Sequence, residues 1–190
     1  MSQGQVWLRQ AQADDAAFLA SSWRTHLREA ESVGEADILA IIEAAQASAD
    51  EQLLIAEYDG ERAGAALLRV TTVSPLNLEP ILSVVAPFVV ATQRRKGVGR
   101  ALLNAATTFA DERGIATMAT VASASSREAN RYFSRLGLGP HALVRTAPVA
   151  LVASRLAAAA GQRMPRPRQG AKLADVMAAR RAVRRTPAAR

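Results

Sequence analysis

The stretch Phe88-Val89-Val90-Ala91-Thr92-Gln93-Arg94-Arg95-Lys96-Gly97-Val98-Gly99-Arg100-Ala101-Leu102-Leu103 constrains this chain more than any other. A valine-rich apolar run ends in a basic cluster, then in two glycines one residue apart, then in a helix-forming segment. That order reads as strand, loop and helix N-terminus. The first amides of a helix have no intrahelical partner and carry the positive end of its dipole. Glycines beside them let backbone approach a ligand with no Cβ in the way, and tolerate positive φ. Arg94, Arg95, Lys96 and Arg100 add positive charge, and arginine suits bidentate phosphate contact. Together these features predict an anion site, one that fits a phosphate chain lying across exposed backbone N–H groups. A dinucleotide-binding G-x-G-x-x-G fails because Leu102 holds the third glycine position. A P-loop fails because no Gly-Lys-Ser/Thr follows four residues after a glycine.

A second segment lies downstream, at the distance a helix, a strand and a loop would need: Ala129-Asn130-Arg131-Tyr132-Phe133-Ser134-Arg135-Leu136-Gly137-Leu138. Ala129, Phe133 and Leu136 share one helical face, and Gly137 suits a C-cap. Taken alone, this is an amphipathic helix ending at glycine.

In order, the two segments resemble the GNAT family of N-acetyltransferases. Arg94-x-x-Gly97-x-Gly99 matches that family's Q/R-x-x-G-x-G/A signature, and 129–138 resembles its later A-x-x-F-Y-x-x-x-G-F segment. The resemblance covers residues 5–146 in outline. It implies an α/β fold: a mixed central β-sheet with a splayed central strand pair, flanked by helices. It also implies acetyl-CoA as donor, with direct transfer of the acetyl group to a primary amine of a small molecule or protein. The coenzyme-binding residues it implies are Phe88, Val89 and Val90 on the strand and Arg94, Arg95, Lys96, Gly97, Val98, Gly99 and Arg100 on the loop. On the later helix it implies Ser126, Asn130 and Phe133. Backbone N–H groups near Val89 and Val90 would polarise the thioester carbonyl.

Proton handling departs from the family pattern. The aromatic pair is inverted, Tyr132 before Phe133, and neighbouring helix positions point about 100° apart. Phe133 cannot donate a proton where the family places its tyrosine. Tyr132 is either a rim or core aromatic, or the acid. Water could also serve, since a cysteine-like thiol has a pKa near about 8.5. Glu79 precedes the central strand on the expected acceptor side and is either a base or a solvated loop carboxylate. Trp23 and His26, on the first helix, would line the acceptor pocket; alternatively they are a core aromatic and a helix C-terminal charge partner. His141 has no partner in sequence. No metal-ligand spacing occurs, and the chain has no cysteine, which rules out disulfides and an acyl-cysteine route. The rival reading keeps the coenzyme site in a catalytically weak or inactive binding protein.

Val6-Trp7-Leu8-Arg9 predicts a first strand, Asp14-Asp15 open a helix through His26, and a second helix covers 38–47. Asp59-Gly60 between apolar runs 53–56 and 65–70 predicts a hairpin. A long strand at 81–90 is interrupted by Pro87, which implies an edge, bulge or splay. A helix at 99–113 capped by Gly114, a strand at 117–122, the later helix from 123–126 onward and a strand at 141–146 follow. Residues 147–156 suit either strand or helix.

Charge is concentrated at the end. Residues 163–190 hold nine of the 24 basic residues and one of the 17 acidic ones, leaving 15 basic against 16 acidic in 1–162. The expected organisation is an acetyltransferase domain over 1–160 and a basic Pro/Arg-rich extension over 161–190. Residues 172–185 suit a basic amphipathic helix for an anionic partner, or a solvated tail. No signal peptide or membrane-length apolar run is visible, so a cytoplasmic location is expected, and dimers are common in the family.

Overall fold

A computed structural model describes residues 4–26, 34–121, 126–141, 145 and 147–162. It falls into two compact units, divided between Pro140 and His141. The first contains β1 (Val6–Gln10), α1 (Ala16–His26), α2 (Glu35–Ala47), β2 (Glu51–Tyr58), β3 (Glu61–Ser74), β4 (Asn77–Val89), α3 (Val98–Asp111), β5 (Met118–Thr120) and α4 (Arg127–Arg135). The second contains α5 (Val149–Gln162), which resolves 147–156 as helix. The strand expected at 141–146 and the basic helix at 172–185 lie wholly or mostly outside the described residues.

The five strands form one sheet in the order β1-β2-β3-β4-β5, antiparallel except for the parallel β4–β5 pair. Side chains on a strand alternate between faces, and two separate cores follow from that. Leu53, Ile55, Ala65 and Leu67 join Leu19, Trp23, Ile38, Ile42 and Phe88 on the α1/α2 side. Leu54, Ala56, Ala66 and Leu68 join Val84, Val98, Leu102 and Phe109 on the α3 side. Central strands covered on both faces need unbroken apolar runs, which is why 53–56 and 65–68 do not alternate with polar residues.

The Asp59-Gly60 turn takes positive φ at both positions (51° and 82°), matching a two-residue hairpin between Tyr58 and Glu61. β3 and β4 extend further than their apolar cores suggest, because Ser74-Pro75-Leu76-Asn77 is the tip of a second hairpin in which Ser74 faces Asn77. β3 and β4 approach closely at Gly64. A Cβ there would sit 2.5 Å from the Phe88 carbonyl oxygen, so no side chain fits without moving backbone.

The irregularity marked by Pro87 is a bulge. Phe88 faces Ala65 and Val85 faces Leu67, so Ala86 and Pro87 oppose one residue of β3, and Ala86 takes φ 49°. Just before it, among the described residues, the β4–β5 pairing stops at Val84 opposite Thr120. The Thr120 hydroxyl donates to the Val84 carbonyl at 2.9 Å, closing the last paired step. Among the described residues, the pairing thus ends just before the bulge.

Asp15 is the sole charged residue buried among the described ones. Arg9 grips it with two bonds of 2.6 and 2.8 Å, the Arg62 Nε donates at 2.6 Å, and the Gln12 amide donates at 2.8 Å. Burial pushes the Asp15 carboxyl up, but the hydrogen bonds from Arg9, the Gln12 amide and Arg62 outweigh it and hold it at about 2. This cluster ties β1 and β3 to the start of α1.

Candidate functional site

β4 leaves the sheet under control. The Val90 amide donates to the Ala63 carbonyl at 2.8 Å, which keeps the strand exit on β3. Strand alternation then turns the Val89 amide to the side of β4 away from β3. A single 3-10 turn, Ala91–Gln93, leads into the basic loop, where Arg95 takes φ 62°. Gly97 caps α3 at φ 87°, and a Cβ on it would meet nothing within 4 Å. The backbone angle selects glycine there, and the space beside it is open for a ligand.

Gly99, in the first turn of α3, differs. A Cβ on it would lie 3.5 Å from both the Tyr132 hydroxyl and Val89 Cγ2. The two sequence motifs thus meet in space: the strand end, the helix start and α4 converge around Gly99. Burial pushes the Tyr132 hydroxyl pKa up, against the opposing pull of Arg135 and Arg100, so it stays protonated at neutral pH. A second link joins the same elements, an exposed ion pair of 2.9 Å between Arg94 and Glu128 of α4. Lys96 lies 4.5 Å above the Tyr58 ring and 2.8 Å from Gln93 Oε1. Arg95 and Arg100 are exposed.

Other candidates occupy different places. The side chains of Phe88 and Val98 are buried in opposite cores, so they face this site through backbone alone. Ser126 caps α4, accepting from the Ala129 amide at 3.4 Å, and the Asn130 amide group donates to the Ser126 carbonyl at 2.8 Å. Phe133 is buried, its ring 5.6 Å from that of Tyr132. Glu79 is exposed near the hairpin tip, seven residues from Ala86 along β4, or about 23 Å of strand. The structure does not bring it to the loop. Trp23 is 6% exposed, and its indole N–H donates to the Ala86 carbonyl at 3.0 Å. The side chain of His26 lies outside the described residues.

Three participants carry no local sequence signal: Gly64, which admits the close β3–β4 approach; Ala86, the left-handed residue of the bulge; and Glu128, the partner of Arg94. Only the proline after Ala86 hinted at one of them.

A family model described as the acetyltransferase (GNAT) family matches residues 16–138, a span that takes in both motifs. The chain belongs to that family. No curated protein matches the sequence. Among solved structures, an aminoglycoside N-acetyltransferase in complex with CoA has TM-score 0.65 and 18% identity, covering 77% of this chain and 96% of its own. A transcriptional regulator from Bacillus halodurans C-125 has TM-score 0.65 and 16% identity, with 76% and 100% coverage. Glucosamine-6-phosphate N-acetyltransferase from Arabidopsis thaliana has TM-score 0.59 and 12% identity, with 76% and 99% coverage. At such identities the likeness speaks for the fold.

Acetyl-CoA is the acetyl donor of the GNAT family, and the loop of this GNAT chain suits it. A helix start is flanked by exposed cations, has open space at Gly97, and adjoins the end of β4, beyond the last described β4–β5 pair. Among the described residues no helix is long and apolar enough to cross a membrane.

Proposed function

We propose that this GNAT chain is an N-acetyltransferase that uses acetyl-CoA to acetylate a primary amine of a small molecule or protein. The observation that carries the reading is the convergence at Gly99, where the Val89 end of β4, the first turn of α3 and the Tyr132 hydroxyl lie within contact distance of one position. Acetyl-CoA supplies an activated thioester acetyl group and an extended anionic tail. The N–H groups opening α3 would hold the pyrophosphate, with Arg95, Lys96 and Arg100 around it. Arg94 would exchange Glu128 for phosphate. The Val89 amide, turned to the open side of β4, would stabilise charge developing on a carbonyl oxygen.

Tyr132 is the proton donor in this reading. Its Oη, whose pKa burial pushes up from the ordinary phenol value, stands beside Gly99, on the side of α3 that faces β4. It would take the part that Phe133 cannot. Glu79 is left out of the mechanism because of its place near the hairpin tip. The amine then reaches its nucleophilic form through solvent.

The structural neighbours include enzymes named for aminoglycosides, glucosamine 6-phosphate and ribosomal-protein alanine. A panel of aminoglycosides, amino sugars and peptides with free N-termini, assayed by thiol release from acetyl-CoA, therefore tests the activity. One class should support turnover. Tyr132→Phe should then lower kcat by about 100-fold with acetyl-CoA affinity unchanged. An unaltered kcat would remove Tyr132 from proton delivery.

A further inference from the structure

The bulge at Ala86-Pro87 follows the last described β4–β5 pair, and it is an unfavourable piece of backbone. Ala86 takes φ 49°, a left-handed angle that a residue with a Cβ adopts only where its surroundings enforce it. Pro87 has no N–H to pair, and the bulge interrupts the ladder that would have occupied the neighbouring carbonyls.

Two side chains from opposite sides replace those lost partners. On the β5 side, the Thr120 hydroxyl donates to the Val84 carbonyl at 2.9 Å. On the α1 side, the Trp23 indole donates its single N–H to the Ala86 carbonyl at 3.0 Å, from 63 residues away in sequence. The Trp23 ring is fixed in turn: it is 6% exposed and meets Phe88 edge-on at 6.2 Å between centroids. Phe18, five residues earlier on α1, also meets the Phe88 ring, at 5.8 Å between centroids. The bond therefore runs from a rigid aromatic cluster to the one left-handed residue of β4. Three residues beyond it lies Val89, whose amide direction depends on the bulge register.

We propose that Trp23 is a positioning residue. Through the Ala86 carbonyl it fixes the bulge, and so aims the Val89 amide at the acyl carbonyl of bound acetyl-CoA. This rests on the function proposed above. It assigns Trp23 to the donor side of the reaction, not to the acceptor pocket.

The test compares two ligands that differ only in the acetyl group. Calorimetric titration of the full chain with acetyl-CoA and with CoA gives a preference ratio for the wild type and for Trp23→Phe. The substitution keeps an aromatic ring against Phe88 and removes the N–H. The expected result is an acetyl-CoA preference that falls at least about threefold, while affinity for CoA stays within about twofold. A residue that merely stabilised the fold would leave the ratio untouched. An unchanged ratio, or equal weakening of both ligands, overturns the proposal. Should Trp23→Phe not fold, Trp23→Leu keeps an apolar side chain in the same place and offers no donor to the Ala86 carbonyl, and it should lose the same preference. A wild-type chain that binds neither ligand refutes the proposed function itself, a result distinct from loss of the ratio.

Discussion

Two clusters of arginine serve this protein in opposite ways. Arg9 and Arg62 are committed to Asp15 through bonds of 2.6 to 2.8 Å, and their shared carboxylate has no solvent exposure. Arg94, Arg95, Lys96 and Arg100 lie exposed around an open helix start, and the pair that Arg94 forms with Glu128 is itself exposed. Charge in the first cluster fixes β1, β3 and α1 together. Charge in the second is held loosely enough to be exchanged for an anionic ligand. In the proposed function, the same residue types thus separate by burial into a structural and a ligand-binding role.

The largest effect is expected at Asp15. Asp15→Asn leaves two arginines facing a buried neutral group, so stability measured by urea denaturation should fall by about 3–5 kcal/mol. Molecules that remain folded should bind acetyl-CoA as before. Gly64→Ala should blur the distinction between the clusters. Its Cβ would meet the Phe88 carbonyl oxygen at 2.5 Å, so β4 must shift. We expect a loss of about 1–3 kcal/mol together with weakened coenzyme binding, read by thermal melting and calorimetry.

Acid should weaken the first cluster. The folded Asp15 value of about 2 lies below the ordinary value of 3.8. Its stabilising contribution is therefore complete above the ordinary value and disappears as pH falls toward about 2. Denaturation midpoints across that window should lose about 2 kcal/mol from this group, and Asp15→Asn should flatten the dependence. Arg94→Ala is expected to weaken acetyl-CoA binding about tenfold, or about 1.4 kcal/mol, with little change in melting. The smallest effect belongs to Glu128→Gln. Freeing Arg94 should tighten acetyl-CoA binding by about two- to threefold at low salt, with the gain fading as salt rises.

The sequence carried the local parts of this account well. Asp59-Gly60 specified its hairpin, the apolar runs of β2 and β3 specified two-sided burial, and Pro87 marked the bulge. The basic loop and its glycines announced the helix start because anion binding needs those residues at adjacent positions. What sequence could not supply was pairing across distance. Asp15 reads as an ordinary helix opener until Arg9 and Arg62 are brought onto it. Glu128 reads as a first-turn carboxylate until α4 lies beside the loop. Trp23 reads as either pocket or core until its N–H is seen on Ala86. Glu79 shows the converse: proximity in sequence to the central strand put it on the acceptor side, whereas β4 carries it about 23 Å from the bulge.

The most direct test of the account is calorimetric titration of the full chain with acetyl-CoA, beside a variant carrying Arg94→Ala and Gly97→Trp. The account predicts about micromolar binding by the wild type. The variant should lose it, because its tryptophan fills the space beside the helix start and forces an unfavourable φ. No binding by the wild type, or equal binding by both proteins, would contradict the claim that this loop is the coenzyme site.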